Sequence, residues 1–85
     1  MTNEQIDNII QKNNLQNLTF QIRFKTRNSI KGLFIITPDY KELSTKNLWR
    51  IVSEQNINSY LESHDQSLSR IFNGVEFTKL ETVDK

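Results

Sequence analysis

The chain has 85 residues, a formal net charge of +1, no cysteine and 35% hydrophobic residues. This length predicts one small domain, and the absence of cysteine excludes disulfides and thiolate metal sites. The longest apolar run, Leu33–Ile36, is far shorter than the roughly 20 residues that a membrane helix needs. The polar N-terminus also lacks the apolar stretch of a signal peptide. We therefore expect a small soluble domain in the cytoplasm.

The first predicted element is a helix over about residues 3–13. Thr2 and Gln5 have the spacing of a capping box, in which two side chains and two backbone N–H groups bond reciprocally. Three isoleucines follow at the spacing of one helical face, at positions Ile6, Ile9 and Ile10. The pair Asn13-Asn14 predicts the end of this helix. A helix this short is marginal alone, so we expect it to lie across an apolar surface.

Two strands are predicted next, joined as a hairpin. Residues 18–25 alternate between apolar and polar, as in a half-buried strand, with apolar Leu18, Phe20, Ile22 and Phe24. A polar turn then leads to a second strand over Ile30–Thr37, which ends at Pro38-Asp39. Gly32 lies inside this second strand, and a strand glycine indicates a sharp bend or a close backbone approach.

Three more strands are predicted in the rest of the chain. A polar loop at Tyr40–Thr45 leads to the first of these, over Asn47–Val52. A short helix is predicted next, over Glu54–Asp65. Leu68–Phe72 and Val75–Leu80 then form a predicted hairpin around Asn73-Gly74, the pair that favours a tight type I′ turn.

These elements predict a single α+β domain, mainly β, with a leading helix and a loose C-terminus. Five short, strongly bent strands, with a short helix before the fourth, favour a closed or nearly closed barrel of the SH3-like kind over residues 18–81. Closure would also protect the edges of so apolar a sheet.

The pattern resembles the Sm-like family, which includes the Sm and LSm proteins and bacterial Hfq. Phe20–Phe34 resembles the first half of the family's Sm1 motif, an alternating strand, a turn and a strand with an internal glycine. Asp39 and Asn47 would stand for the aspartate and asparagine of that motif, at a wider spacing than the family has. Ile71–Val75 resembles the Sm2 motif, with Asn73 in place of an arginine. The resemblance implies a five-stranded barrel that forms a ring and binds RNA.

The positive charge is concentrated in the middle of the chain. Residues 23–50 contain seven basic and two acidic residues, a net charge of +5, whereas residues 51–85 have a net charge of −3. Three of the basic residues share one face of the first predicted strand, at Arg23, Lys25 and Arg27. Such a stripe suits a phosphate backbone. The alternative is that these are simply the solvated side chains of a half-buried strand.

The resemblance adds three residues to this candidate RNA site. Tyr40 lies where the family has base-stacking residues, and a stacked base contributes about 1–3 kcal/mol. The alternative is that Tyr40 covers the mouth of the barrel as an apolar plug. By the same resemblance Asn47 and Asn73 would hydrogen-bond a base, and the alternative is that each orders a turn or a loop.

A second set of residues is a candidate interface. Trp49 and Arg50 lie on the third predicted strand, whose two faces would both be partly apolar if the residues alternate. Trp49 then belongs either to the core or to an oligomer or partner surface, where Trp and Arg are enriched. Phe72 and Phe77 complete this candidate interface.

No catalytic pattern is present in the sequence. The single histidine, His64, has no recognised metal-ligand spacing around it, and two glycines cannot form a glycine-rich phosphate loop. We expect a non-catalytic module with no cofactor, metal, membrane or small-molecule substrate. Two hypotheses remain open. One is a homo-oligomer that binds RNA or another single-stranded nucleic acid, and the other is a protein-interaction or assembly module of the same architecture.

Overall fold

The computed structural model describes residues 1–12 and 19–83 as a leading helix followed by a five-stranded antiparallel sheet. The helices are α1 (Asn3–Lys12), α2 (Tyr40–Thr45) and α3 (Ile57–Ser63). The strands are β1 (Thr19–Phe24), β2 (Ile30–Phe34), β3 (Leu48–Ser53), β4 (Ser69–Asn73) and β5 (Phe77–Thr82). Short 3₁₀ turns lie at Glu54–Asn56, Gln66–Leu68 and Gly74–Glu76. The predicted combination of a first helix with five strands is confirmed.

The strands lie in the order β4-β3-β2-β1-β5, and every neighbouring pair is antiparallel. The first four strands therefore form a meander, and β5 returns along the opposite side of β1. In the part of the chain that the structure describes, β4 and β5 do not pair with each other. The sheet is consequently not closed, and β4 and β5 are its two edges.

The sheet is nevertheless strongly curved. The rings of Phe24 on β1 and Phe72 on β4 have their centroids 6.0 Å apart, although β2 and β3 lie between these strands. Three spacings of about 4.8 Å would separate β1 from β4 by roughly 14 Å in a flat sheet. The curved inner face holds one apolar core, whose buried members are Ile6, Ile10, Phe20, Ile22, Phe34, Trp49, Ile51 and Phe77.

Helix α1 has the predicted cap and the predicted apolar face. The Thr2 hydroxyl accepts a hydrogen bond from the Gln5 backbone N–H at 3.2 Å, and Gln5 Oε1 accepts one from the Thr2 N–H at 3.0 Å. Ile6 and Ile10 are buried against the sheet, which confirms that this short helix is stabilised by packing. The predicted end of the helix at Asn13-Asn14, like Leu18 of the first strand, lies outside the described residues.

The predictions for Gly32, for the segment before β4 and for the faces of β3 are confirmed. A Cβ atom at Gly32 would overlap Ile51 Cγ2 on the neighbouring strand, so the glycine permits a close approach inside the curved sheet. The segment Glu54–Asp65 contains a 3₁₀ turn and α3, which confirms the predicted helix there. On β3, Trp49 and Ile51 are buried on the inner face, as the alternation predicts.

The polar loop predicted for Tyr40–Thr45 is wrong, because this segment forms α2. Its first turn is closed by hydrogen bonds from the Tyr40 N–H to the Thr37 carbonyl at 2.9 Å and from the Leu43 N–H to the Asp39 carbonyl at 2.9 Å. The preceding strand is also shorter than predicted, since β2 ends at Phe34. One further bond, from the Ile35 N–H to the Arg50 carbonyl at 3.1 Å, continues its pairing with β3.

The predicted hairpin around Asn73-Gly74 is also wrong. A type I′ turn requires positive φ at both central residues, whereas Asn73 has φ −89° and Gly74 does not have a positive φ. The Asn73 side chain instead accepts a hydrogen bond from the Val75 N–H at 3.0 Å and begins a 3₁₀ turn. This turn directs β5 away from β4 and onto β1, where the Lys25 N–H donates to the Glu76 carbonyl at 3.0 Å.

Candidate functional site

The three basic residues predicted as a phosphate-binding stripe have different surroundings. Arg23 forms a salt bridge with Glu81 of β5, with Nε 2.6 Å from the carboxylate. This contact lowers the pKa of Glu81. Lys25 is exposed. Arg27 lies with its guanidinium carbon 5.0 Å from the centre of the Phe24 ring. Arg27 is therefore the member of the stripe that is held beside an aromatic surface.

Tyr40 connects α2 to α1. Its hydroxyl donates a hydrogen bond to Asp7 Oδ1 at 2.6 Å, and its ring contacts Trp49 edge-on with centroids 5.9 Å apart. Burial and the hydrogen bond to the Asp7 carboxylate both raise the pKa of Tyr40. These contacts match the alternative in which Tyr40 packs as a plug, and a base-stacking role stays a prediction.

Asn47 and Asn73 both order the chain around them. Asn47 has φ 59°, donates from Nδ2 to the Met1 carbonyl at 3.0 Å and accepts at Oδ1 from Trp49 Nε1 at 2.8 Å. Its own carbonyl accepts from the Gly74 N–H at 2.8 Å. Asn73 caps the following 3₁₀ turn through its side-chain oxygen. The loop-ordering alternative therefore describes the contacts that both residues make.

The four candidate interface residues also differ in burial and in their contacts. Trp49 and Phe77 are each 1% exposed and belong to the core. Arg50 binds Asp39 through Nη2 at 2.8 Å and Nε at 3.3 Å. Hydrogen bonds from Arg50 and Thr37 lower the pKa of Asp39 to about 2. Phe72 differs from these three, because it is half-buried at the rim of an open cleft.

This cleft, called the aromatic cleft below, has a volume of about 480 Å³, within the range of small-ligand pockets. It lies between the end of β1 and the edge strand β4. Its lining residues are Phe24, Thr26, Arg27, Arg70, Ile71, Phe72, Asn73 and Glu76. The cleft thus combines two aromatic rings, two arginines and one carboxylate.

The fold brings these residues together from distant parts of the chain. Arg70 and Phe72 are two positions apart on β4, so they share one face of that strand. The pairing of β1 with β5 shifts register between Arg23 and Phe24, and such an irregularity redirects side chains at a strand end. The hydrogen bond between the Lys25 N–H and the Glu76 carbonyl fixes the 3₁₀ turn beside the cleft.

The two arginines of the cleft differ from Arg23 and Arg50 in their ion pairing. Among residues 1–12 and 19–83, Arg23 and Arg50 form salt bridges, whereas Arg27 and Arg70 have no carboxylate within 4.0 Å. The two unpaired arginines therefore line the same cleft. The Arg27 guanidinium also lies 5.0 Å and 6.0 Å from the two phenylalanine rings, in range of favourable cation–π contacts.

Sequence reasoning named Arg27, Phe72 and Asn73 but missed Phe24, Arg70 and Glu76 as parts of this cleft. The predicted hairpin placed Glu76 in the last strand, beside the fourth strand, and not in a turn at the cleft. The alternation of Arg70 with Phe72 on one strand was the signal that would have placed Arg70 beside an aromatic ring.

Two other kinds of site are not seen in the described part of the chain. It contains no group of three or more His, Cys, Asp or Glu residues arranged to hold a metal ion. Within the same residues, each helix is too short or too polar to cross a membrane.

Comparison of the chain with protein-family models, with curated proteins and with solved structures finds no match. The aromatic cleft is therefore the candidate functional site of this chain.

Proposed function

We propose that the protein is a non-catalytic module that binds single-stranded RNA, or a similar single-stranded nucleic acid, in the aromatic cleft. The observation that carries this proposal is the placement of both unpaired arginines, Arg27 and Arg70, beside two half-buried phenylalanine rings. Proteins that bind single strands combine a basic groove for the phosphates with aromatic surfaces for the bases. Both parts of that combination line this cleft.

The electrostatic balance of the cleft favours an anionic ligand. Arg27 and Arg70 are opposed by the single carboxylate of Glu76, and the exposed Lys25 is two residues from Arg27 along the chain. A guanidinium that is not paired within the protein keeps its N–H donors available for bidentate contact with a phosphate.

The position of Arg27 also suits stacking. Its planar group is supported on one side by the Phe24 ring, and RNA bases stack on arginine planes as well as on aromatic rings. A base that stacks on the Arg27 guanidinium would add to the existing cation–π contact with Phe24. Supporting the guanidinium beforehand lowers the conformational entropy lost on binding.

The relationship to Sm-like and SH3-like small barrels is part of the same proposal. It is supported by the leading helix, the four-stranded meander and the return of β5 to β1. Assembly into a homo-oligomer is supported by the two open edges, β4 and β5, because unpaired strand edges favour pairing with another chain. A neighbour on the β4 edge would lie next to the aromatic cleft.

The test is retention of the purified protein on polyuridylate and polyadenylate matrices at low and moderate salt, with solution mass measured in parallel. We expect retention that weakens steeply with salt. Arg27→Lys keeps the charge but loses the planar group, so it should weaken binding, and Arg27→Gln should weaken it further. The matched control is Lys41→Gln, which removes an exposed charge outside the cleft. Absence of retention in the unaltered protein would overturn the proposal.

A protein-interaction or assembly module is the second candidate. The observation that favours it is the exposed apolar surface around the edge strand β4, where Ile71 is 48% and Val75 is 51% exposed. Apolar side chains beside an open strand edge suit strand addition by a partner. This candidate binds no nucleic acid, so in the same experiment a stable oligomer that is retained on neither RNA matrix would favour it.

A further inference from the structure

Glu76 is the acidic residue among those that line the aromatic cleft. Glu76 is exposed at the end of the 3₁₀ turn, and its backbone is tied to Lys25. Within residues 1–12 and 19–83, its side chain has no salt bridge or hydrogen bond. A free carboxylate that lines the same cleft as two arginines opposes phosphate binding, whereas it can accept hydrogen bonds from a base.

From this arrangement we infer that Glu76 makes the cleft selective for guanine. An ionised carboxylate only accepts hydrogen bonds, and its two oxygens match a pair of adjacent donors. Guanine presents such a pair on its Watson–Crick edge, the N1–H and the N2 amino group. Adenine and cytosine each present one amino group beside an acceptor nitrogen, and uracil presents one N–H between two acceptor oxygens. These three bases therefore leave one carboxylate oxygen unpaired or repelled.

The residues that line the cleft are consistent with selectivity for guanine. Arg27 and Glu76 both line the cleft, so in this proposal a base that stacks on Arg27 presents its edge to the Glu76 carboxylate. Arg70, on the opposite strand edge, provides the charge for the adjoining phosphate. Single-stranded RNA recognition commonly combines stacking with hydrogen bonds to exposed Watson–Crick edges. The inference rests on the proposed function, since it names the base that the same cleft prefers.

The test uses fluorescence anisotropy with labelled oligouridylates of about ten nucleotides that differ only at one central position, which is guanine, adenine, cytosine or uracil. We expect the guanine oligonucleotide to bind about tenfold more tightly than the other three, in the lower part of the range for a bidentate base contact. Inosine at the same position lacks the N2 amino group and should lose most of this advantage.

Two variants separate base selection from general charge effects. Glu76→Gln should strengthen binding of all four oligonucleotides, because it removes a negative charge, while reducing the guanine preference to within about twofold. Glu62→Gln removes the same charge from α3, outside the cleft, and should keep the preference. Among the described residues the Glu76 side chain makes no salt bridge or hydrogen bond, so we expect both variants to fold, and a thermal melt checks this directly.

The outcomes distinguish this inference from the proposed function. Equal binding of all four oligonucleotides, or a guanine preference that survives in Glu76→Gln, would overturn the inference and leave RNA binding by the cleft intact. Failure to bind any of the four would overturn both. Loss of the preference in Glu76→Gln and its retention in Glu62→Gln would support the assignment.

Discussion

Asn47 holds three parts of the chain together. Its side chain bonds Met1 and the indole of Trp49, and its carbonyl bonds Gly74. Its φ of 59° lies in the left-handed region, which asparagine tolerates better than most residues. A Cβ atom at Gly74 would overlap Ile6 and the Asn47 side chain, so this close packing favours glycine.

These contacts predict different costs for two substitutions at Asn47. Asn47→Gly keeps the backbone conformation but leaves the buried Trp49 N–H without its acceptor, which should lower the free energy of unfolding by about 1–3 kcal/mol. Asn47→Ala loses the same contacts and adds the strain of a left-handed residue, a further cost of about 1–2 kcal/mol. Urea denaturation measures both values. Equal stability of Asn47→Gly and the unaltered protein would show that the side-chain bonds contribute nothing.

The contact between Arg50 on β3 and Asp39, directly before α2, joins these two elements. Asp39 accepts two hydrogen bonds from the guanidinium and one from the Thr37 hydroxyl. These bonds favour the ionised carboxylate, so the pKa of Asp39 falls to about 2 from an ordinary value of 3.8. Both partners are partly exposed, and solvent therefore reduces the stability that this pair contributes.

The depressed pKa gives a pH dependence with a definite sign. The unfolded chain binds a proton at Asp39 more readily than the folded chain does, so the contribution is complete above the ordinary pKa and is lost as the pH falls from about 4 towards 2. Arg50→Gln should therefore lower the free energy of unfolding near neutral pH and have progressively less effect towards pH 2. In an Asp39→Asn background, the effect of Arg50→Gln should be small at every pH. A pH-independent effect of Arg50→Gln would contradict this account.

The elements differ in how far the sequence predicts them. The alternation in β1 and the cap of α1 are local patterns, and both are confirmed. The segment that becomes α2 has only Tyr40 and Leu43 as apolar anchors, so its helix depends on contacts with α1 and β3 that no local pattern reveals. The Asn73-Gly74 pair favours a tight hairpin locally. Pairing of β5 with β1 prevails over that preference.

The aromatic cleft was harder to predict than the elements that form it. Arg27 and Phe24 are close in sequence, but Phe72, Arg70 and Glu76 meet them only because the sheet curves until β4 faces the end of β1. A one-dimensional charge pattern identified the basic middle of the chain. It could not show that Arg23 and Arg50 are neutralised by Glu81 and Asp39 while the other two arginines stay unpaired.

At the scale of the whole molecule, the open side of the sheet and the candidate site coincide. The two edges, β4 and β5, are joined by the 3₁₀ turn Gly74–Glu76, and the aromatic cleft lies beside that turn. Single-stranded nucleic acid and a partner strand would therefore compete for, or share, the same region. We propose that the cleft binds phosphates through its two unpaired arginines.

The most direct test of this claim is the salt dependence of RNA affinity, measured by anisotropy for three forms of the protein. Each phosphate contact to a single strand adds about 0.7 to the slope of log K against log salt concentration. Arg27→Gln combined with Arg70→Gln should therefore weaken binding and lower this slope by about 1.4. Lys12→Gln combined with Lys41→Gln removes the same charge outside the cleft and should leave the slope nearly unchanged. Equal slopes for all three forms would contradict the account.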